Sequence, residues 1–117
     1  KKGEYNRSND KIKLMMIYIH EHYREKISIP ELAAAAYLSE RECYRVFHDC
    51  LHMTPVEYIK AYRLQAACQM LAKGQEAVTV ISHECGLGSS SYFGKVFREY
   101  VHCSPIEYRK KWQNSDR

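Results

Sequence analysis

A chain of 117 residues has room for one or two small domains. With 45% hydrophobic residues it is no disordered polypeptide, and no apolar run approaches the roughly 18–20 residues of a membrane-spanning helix. The net charge of +4 suits a nucleic-acid partner but is too mild to select one.

The first residues have no apolar core, so they form no signal peptide. Residues 1–8 are read as a flexible leader, the cut edge of a longer protein. A first amphipathic helix is predicted from Asn9 to Tyr23, with Asn9 or Asp10 as cap and Ile12, Met15, Met16, Ile19 and Tyr23 inward. Ser28-Ile29-Pro30-Glu31 is a capping box, with hydroxyl and carboxylate spaced to satisfy each other's backbone N–H. It opens a short helix through Ala36. Tyr37-Leu38 is a turn. Ser39-Glu40-Arg41-Glu42 is a second box, opening a helix to about Leu51 whose inner side is Cys43, Val46, Phe47 and Cys50. Two short helices across a tight turn are a helix-turn-helix signal.

Thr54, Pro55 and Glu57 then start a long helix that stops at Lys73-Gly74. Its apolar arc, which includes Val56, Ile59, Leu64, Ala67 and Leu71, spans about 200°, wide enough for two packing partners. At 1.5 Å per residue it is a spacer of about 27 Å, compatible with one turn of duplex DNA. Arg63 on that arc is read as a partly buried guanidinium between the two halves, paired with an acid or with capping carbonyls. After Gly74 the pattern restarts. A short helix runs from Thr79 to Cys85, carrying Val80 and Ile81. Gly86-Leu87-Gly88 is a turn, and Ser89 caps a helix to about Val101 with Phe93, Val96, Phe97 and Tyr100 inward. Ser104-Pro105-Ile106-Glu107 is a last capping box, with a helix through Trp112.

The restart is a repeat. Ser39, Arg45, Val46, Phe47, His52, Thr54, Pro55, Glu57 and Tyr58 recur fifty positions later as Ser89, Lys95, Val96, Phe97, His102, Ser104, Pro105, Glu107 and Tyr108. Leu32 and Leu38 match Ile81 and Leu87 with an offset one shorter, so Gly88 is an insertion in the second turn. The expected fold is all-α: seven helices, two homeodomain-like helix-turn-helix units duplicated along the chain and joined by a long central helix. The expected division is leader 1–8, first unit 9–53, linker helix 54–74, second unit 75–113 and frayed tail 114–117.

In a helix-turn-helix the second helix enters the major groove. With Phe47 and Phe97 inward, Glu40, Arg41, Tyr44, Arg45 and His48 point out of the first unit, and Ser90, Ser91, Gly94, Lys95 and Arg98 out of the second. Arg45 can grip guanine bidentately and Lys95 can donate to the same atoms. Arg41, Tyr44, Ser90 and Ser91 complete the base-facing set, the serines suiting water-mediated readout. His48 and Arg98, a turn further on, suit phosphates, as do the N–H groups opening the helices at Pro55 and Pro105. Glu42 is assigned to capping Ser39.

Other chemistries find little support. Cys43, Cys50, Cys68, Cys85 and Cys103 form no C-x-x-C pair, and their odd number and helical positions indicate reduced thiols of a cytoplasmic protein, all but Cys103 packed. His48, Cys50, His52, His102 and Cys103 give no four-ligand set, so neither metal nor other cofactor is expected. Nucleophile elbow, phosphate loop and paired-carboxylate spacing are all missing, so the chain is not read as an enzyme.

These residues resemble a known family. Ile81, Cys85-Gly86-Leu87, Ser89, Ser91-Tyr92-Phe93, Lys95, Phe97-Arg98, Ser104-Pro105 and Tyr108-Arg109 are similar to the signature of AraC/XylS-type transcription regulators. Leu32-Ala33, Ser39, Arg45, Phe47, Thr54-Pro55, Tyr58-Ile59, Arg63-Leu64 and Ala67 match it in the first half. The resemblance implies a seven-helix domain that binds double-stranded DNA with both recognition helices in adjacent major-groove segments. It also implies activation through RNA polymerase and a separate effector-binding or dimerisation domain, for which this chain has no room. The alternative is that one unit binds DNA while the other docks RNA polymerase or another protein. The chain departs from the family at Tyr37, His52 and His102, which stand where glycine is usual at left-handed positions. Cys43 stands for a leucine and Ser82 for an alanine. The first unit is therefore expected to be the less stable.

Overall fold

The structure, a computed structural model, describes residues 2–114, with side chains from residue 7 onward. Every regular element in that range is a helix: α1 Lys2–His22, α2 Ile29–Ala35, α3 Glu40–Leu51, α4 Pro55–Lys73, α5 Val78–Glu84, α6 Ser90–Val101 and α7 Pro105–Asn114. The chain forms two compact units that divide within α4, between Lys60 and Ala61. The expected frayed tail lies outside the described residues, apart from Asn114 at the end of α7.

In the first unit α1, α2 and α3 pack on one another. Ile12, Met15 and Ile19 face Leu32, Ala33 and Ala36 of the α2 region and Cys43, Val46 and Phe47 of α3, all 6% exposed or less. Full burial of each large side chain contributes about 1.5–3 kcal/mol. Tyr58, early in α4, tilts against Phe47 with ring centres 5.8 Å apart. Its hydroxyl lies 2.9 Å from Nε2 of His20.

Helix α1 begins at Lys2, well upstream of the expected start at Asn9. Asn9 and Asp10 are polar enough to cap, yet the backbone runs helically through them. Packing carries the helix past that point: the Cys50 thiol of α3 donates to the Ser8 carbonyl at 3.9 Å.

The second unit uses the later part of α4 with α5, α6 and α7. Leu64, Ala67 and Leu71 are buried with Ile81, Cys85, Leu87, Phe93, Val96 and Phe97. Phe97 meets Phe93 and Tyr108 edge-on, with ring centres at 5.5 and 5.6 Å. Helix α7 closes the open carbonyl end of α4. Arg109 donates to the Leu71 and Glu76 carbonyls at 3.3 and 2.7 Å, and the Gln113 amide to those of Leu71 and Gly74 at 3.2 and 2.9 Å. The Leu71 carbonyl is an orphan acceptor of the helix end, and those of Gly74 and Glu76 belong to the segment after it; all are met by side chains from a distant helix.

Some expected inward residues stand outside. Tyr100 continues the face of Phe93 and Phe97 but is 45% exposed, because packing on α6 does not reach its last turn. Val56 of α4 and Val80 of α5 are also exposed. Arg63 is half-buried, as expected, and lies near the Cys85 thiol and Tyr92 phenol of its own unit. Burial depresses its proton affinity below the usual arginine value.

Candidate nucleic-acid interface

Each recognition helix is aimed by a cap at its start and a hydrophobic anchor on its inner side. At α3 the Ser39 hydroxyl accepts from the Glu42 N–H at 3.2 Å, and the Glu42 carboxylate accepts from the Ser39 N–H at 3.0 Å. The capping role assigned to Glu42 is what the structure has. Those hydrogen bonds, the Ser39 N–H foremost, hold the carboxyl below the usual glutamate range. Cys43, Val46 and Phe47 fix the inner side. Arg41, Tyr44, Arg45 and His48 are all left exposed on the outer one.

At α6 the Ser89 hydroxyl accepts from the Tyr92 N–H at 3.2 Å. No acid follows three residues on, so this cap is half a box. Phe93, Val96 and Phe97 are buried; Ser90, Ser91, Lys95 and Arg98 are exposed. On the same face Gly94 leaves bare backbone, since a Cβ there would meet no atom within 4 Å. The structure thus puts every base- and phosphate-facing residue named from the sequence on the open side of its helix.

The turn before α3 differs chemically from the turn before α6 but opens with the same left-handed backbone, the inserted Gly88 with φ 76° following only in the second. Tyr37 has φ 59°, where Gly86 of the second turn has φ 80°. Leu38 N–H donates to the Ala33 carbonyl, and Leu87 N–H to that of Ser82, both at 2.9 Å. A non-glycine residue in this left-handed region is strained by about 1–2 kcal/mol. Lys11 from α1 supports the strained turn. Its ammonium donates to the Ala36 carbonyl at 2.8 Å and sits 5.3 Å from the centre of the Tyr37 ring. His52 and His102, φ 56° and 70°, are left-handed C-caps of α3 and α6, at the positions read from the sequence as left-handed.

The two helix openings offered for phosphate are already filled. The Thr54 hydroxyl accepts from Glu57 N–H at 3.1 Å while the Glu57 carboxylate accepts from Thr54 N–H at 2.8 Å. Ser104 and Glu107 repeat the arrangement at 3.1 and 2.8 Å. Both carboxyls are held below their usual range by these backbone bonds, so each opening carries a negative charge that repels an anion.

Two charged features join the site. Asp49 lies 3.7 Å from the Arg45 guanidinium and 3.4 Å from Nδ1 of His48. A cleft of about 360 Å³ beside α3 is lined by Arg7, Ser8, Lys11, Glu42 and Arg45 among others. The sequence reading left out Arg7 and Lys11. Their spacing of four puts both on one side of a helix, and the expectation that the helix begins at Asn9 hid Arg7 from that pattern.

Among the described residues no three or more His, Cys, Asp or Glu cluster to hold a metal ion. Burial pushes the Cys43 and Cys85 thiols up to about 11. Cys50 and Cys68, expected to be packed, are half-covered like Cys103. No helix of the described residues is long and apolar enough to cross a membrane.

A family model described as a helix-turn-helix domain matches residues 32–111. The uncharacterized HTH-type transcriptional regulator YdeC of Bacillus subtilis is 36% identical over 111 residues, covering 92% of this chain and 38% of that protein. This chain therefore spans less than two fifths of its curated relative. The crystal structure of an AraC-type transcriptional regulator from Chromobacterium violaceum superposes with a TM-score of 0.86 at 25% identity, covering 90% of this chain and 94% of that one. The DNA-binding domain of the global transcriptional factor AdpA, solved in complex with a target DNA, matches with a TM-score of 0.81 at 26% identity over 86% and 91% of the two chains.

Proposed function

This chain belongs to the AraC-type family of helix-turn-helix transcription regulators, not to an enzyme family, and we propose that it binds double-stranded DNA sequence-specifically through α3 and α6. The observation that carries this reading is one device built twice. A serine cap and a phenylalanine anchor turn a polar face outward on each recognition helix. Arg45 and Lys95 are the principal base readers, helped by Arg41, Tyr44, Ser90 and Ser91. His48 and Arg98 contact phosphates. The likeness to a domain solved on its target DNA supports binding to double-stranded DNA.

On this reading each recognition helix occupies its own major-groove segment, the two segments being adjacent. The domain works in the cytoplasm, activates transcription by touching RNA polymerase, and is joined in a longer polypeptide to an effector-binding or dimerisation domain. The short share of YdeC that it spans supports that last element.

The test is a footprint on DNA selected in vitro, with Arg45→Ala and Lys95→Ala. Two protected major-groove segments are expected. Arg45→Ala should weaken binding by about 1–3 kcal/mol and relax one base position. Unchanged binding by the double variant would overturn the groove assignment, and a single protected segment would leave only one unit on DNA.

A further inference from the structure

We propose that the start of α1 is itself part of the DNA-binding surface: Arg7, lining a cleft beside α3 together with Lys11 and Arg45, holds a backbone phosphate. The inference rests on the DNA-binding reading above and adds an element that a helix-turn-helix alone does not supply.

Arg7, Lys11 and Arg45 set against Glu42 leave a net charge of +2. A water occupies about 30 Å³ of liquid, so a volume of about 360 Å³ admits a phosphodiester with part of its sugars. The four charges are not equally available. Lys11 is held by the Ala36 carbonyl and the Tyr37 ring, so it contributes field rather than a hand. The Glu42 carboxylate is turned to the Ser39 N–H. Arg7 and Arg45 both favour the charged form of that carboxylate, after its Ser39 hydrogen bonds. Arg45 is engaged by Asp49 at 3.7 Å, so an anion entering there meets the Arg7 fork and the Ser8 hydroxyl in the field of Lys11 and Arg45. Planar forks match phosphate oxygens bidentately, which a lysine ammonium does not.

Location points to DNA. Arg45 belongs both to the cleft and to the exposed face of α3, so the cleft borders the surface that enters the groove. A helix in the major groove is flanked by sugar-phosphate backbone, and contacts there fix register without reading sequence. The upstream extension of α1, fastened by the Cys50–Ser8 bond, carries Arg7 to that border.

The experiment measures affinity against salt for the parent domain, Arg7→Ala, Arg7→Lys and Lys13→Ala, on selected and scrambled duplexes. Lys13 is an exposed cation of α1 and serves as the charge-matched control. A phosphate contact releases one counterion, so Arg7→Ala should make the log–log slope shallower by about 0.9. It should weaken selected and scrambled DNA by the same factor. Arg7→Lys should restore the slope, and Lys13→Ala should leave it as in the parent. Helicity by circular dichroism checks that α1 survives. A slope for Arg7→Ala equal to that of the parent, or a loss equal to that of Lys13→Ala, overturns the proposal. A second arm titrates the DNA-free domain with inorganic phosphate. Saturable binding that Arg7→Ala abolishes, with no change in the DNA slope, would assign the cleft to a free phosphate ester and refute the DNA contact. A parent that binds no DNA would overturn the function itself; an altered slope confined to the variant cannot be mistaken for that.

Discussion

Asp49 restrains the residue expected to read DNA most strongly, and its removal makes a sharp test. Its carboxylate lies 3.7 Å from the Arg45 guanidinium, with the two side chains 54% and 57% exposed. An exposed pair four apart on a helix contributes about 0.3–0.5 kcal/mol. The order here, cation before acid, is the weaker one. Asp49 also lies near the C-terminal end of α3, where a negative charge is unfavourable by about 0.3–1 kcal/mol. The two effects oppose, so Asp49→Asn should leave stability within about 0.5 kcal/mol of the parent. Binding has no such cancellation. Freeing Arg45 recovers about 0.3–0.5 kcal/mol, and removing repulsion of a phosphate some 8 Å away adds up to about 0.5 kcal/mol in water. Affinity should rise about two- to fivefold, since 1.4 kcal/mol is tenfold. Fluorescence anisotropy on a selected duplex, at low and moderate salt, measures this. In an Arg45→Ala background the part due to freeing Arg45 should vanish while the repulsion part remains. Weaker binding by Asp49→Asn would mean that Asp49 accepts from a base, and the reader assignment on α3 would fail. An equal gain in both backgrounds would remove Arg45–Asp49 coupling from the mechanism.

Further tests address the frame. Tyr37→Ala should lose the Lys11 contact, about 0.5–1 kcal/mol at an exposed site, and keep the left-handed strain. Tyr37→Gly should relieve that strain and exceed the alanine variant by about 1 kcal/mol in thermal denaturation; parity between the two would show an unstrained turn. Glu57 and Glu107 sit below the ordinary value of 4.5 in the folded state, chiefly through the Thr54 and Ser104 N–H groups, so their contribution is full above that pH and fades as pH falls through the folded values. Gln at both positions keeps an acceptor but no titration, and should flatten the loss of melting temperature on acidification below about pH 4.5; an unchanged acid limb would contradict the capping role. With thiols near 11, Cys43 and Cys85 should resist iodoacetamide at pH 8 until the domain unfolds, whereas mass spectrometry should find Cys103 among the first modified.

What could be read from sequence was what local chemistry decides. A hydroxyl followed three residues later by a carboxylate is a complete hydrogen-bonding unit, so the boxes at Ser28, Ser39, Thr54 and Ser104 were legible and are present. The duplicated phenylalanines fixed which side of α3 and α6 faces out. His52 and His102 were legible as left-handed only through the family resemblance, standing where its members usually carry glycine. The rest depended on neighbours distant in sequence. Nothing local marks α1 as continuing past Asn9; its packing against Cys50 of α3 does. Tyr100 has the right phase for the core but no layer to meet. The openings at Pro55 and Pro105 looked ready for phosphate until the lengths of Glu57 and Glu107 were seen to fill them. The cleft at Arg7 needed α1 and α3 side by side, which no periodicity supplies.

The same frame carries two unequal reading heads. On α3 the exposed side chains are large and well furnished: Arg41 and Arg45 with planar forks, Tyr44 with ring and hydroxyl, and Asp49 holding one fork in place. On α6 they are Ser90, Ser91 and Lys95 around a bare Gly94, with reach supplied by a single flexible ammonium. A good bidentate pair discriminates against a wrong base by about 1–3 kcal/mol, and a point charge or a water-bridged hydroxyl by less. Summed over each face, α3 should command roughly twice the discrimination of α6, while Arg98 still lets α6 contribute affinity through phosphate. In-vitro selection should therefore return a site whose information is concentrated in one half. Arg45→Ala should flatten that half, and Lys95→Ala should lower affinity for all sequences more evenly. A selected site with equal information in both halves, or one flattened chiefly by Lys95→Ala, would place the reading on α6 and reverse the roles assigned to the two helices.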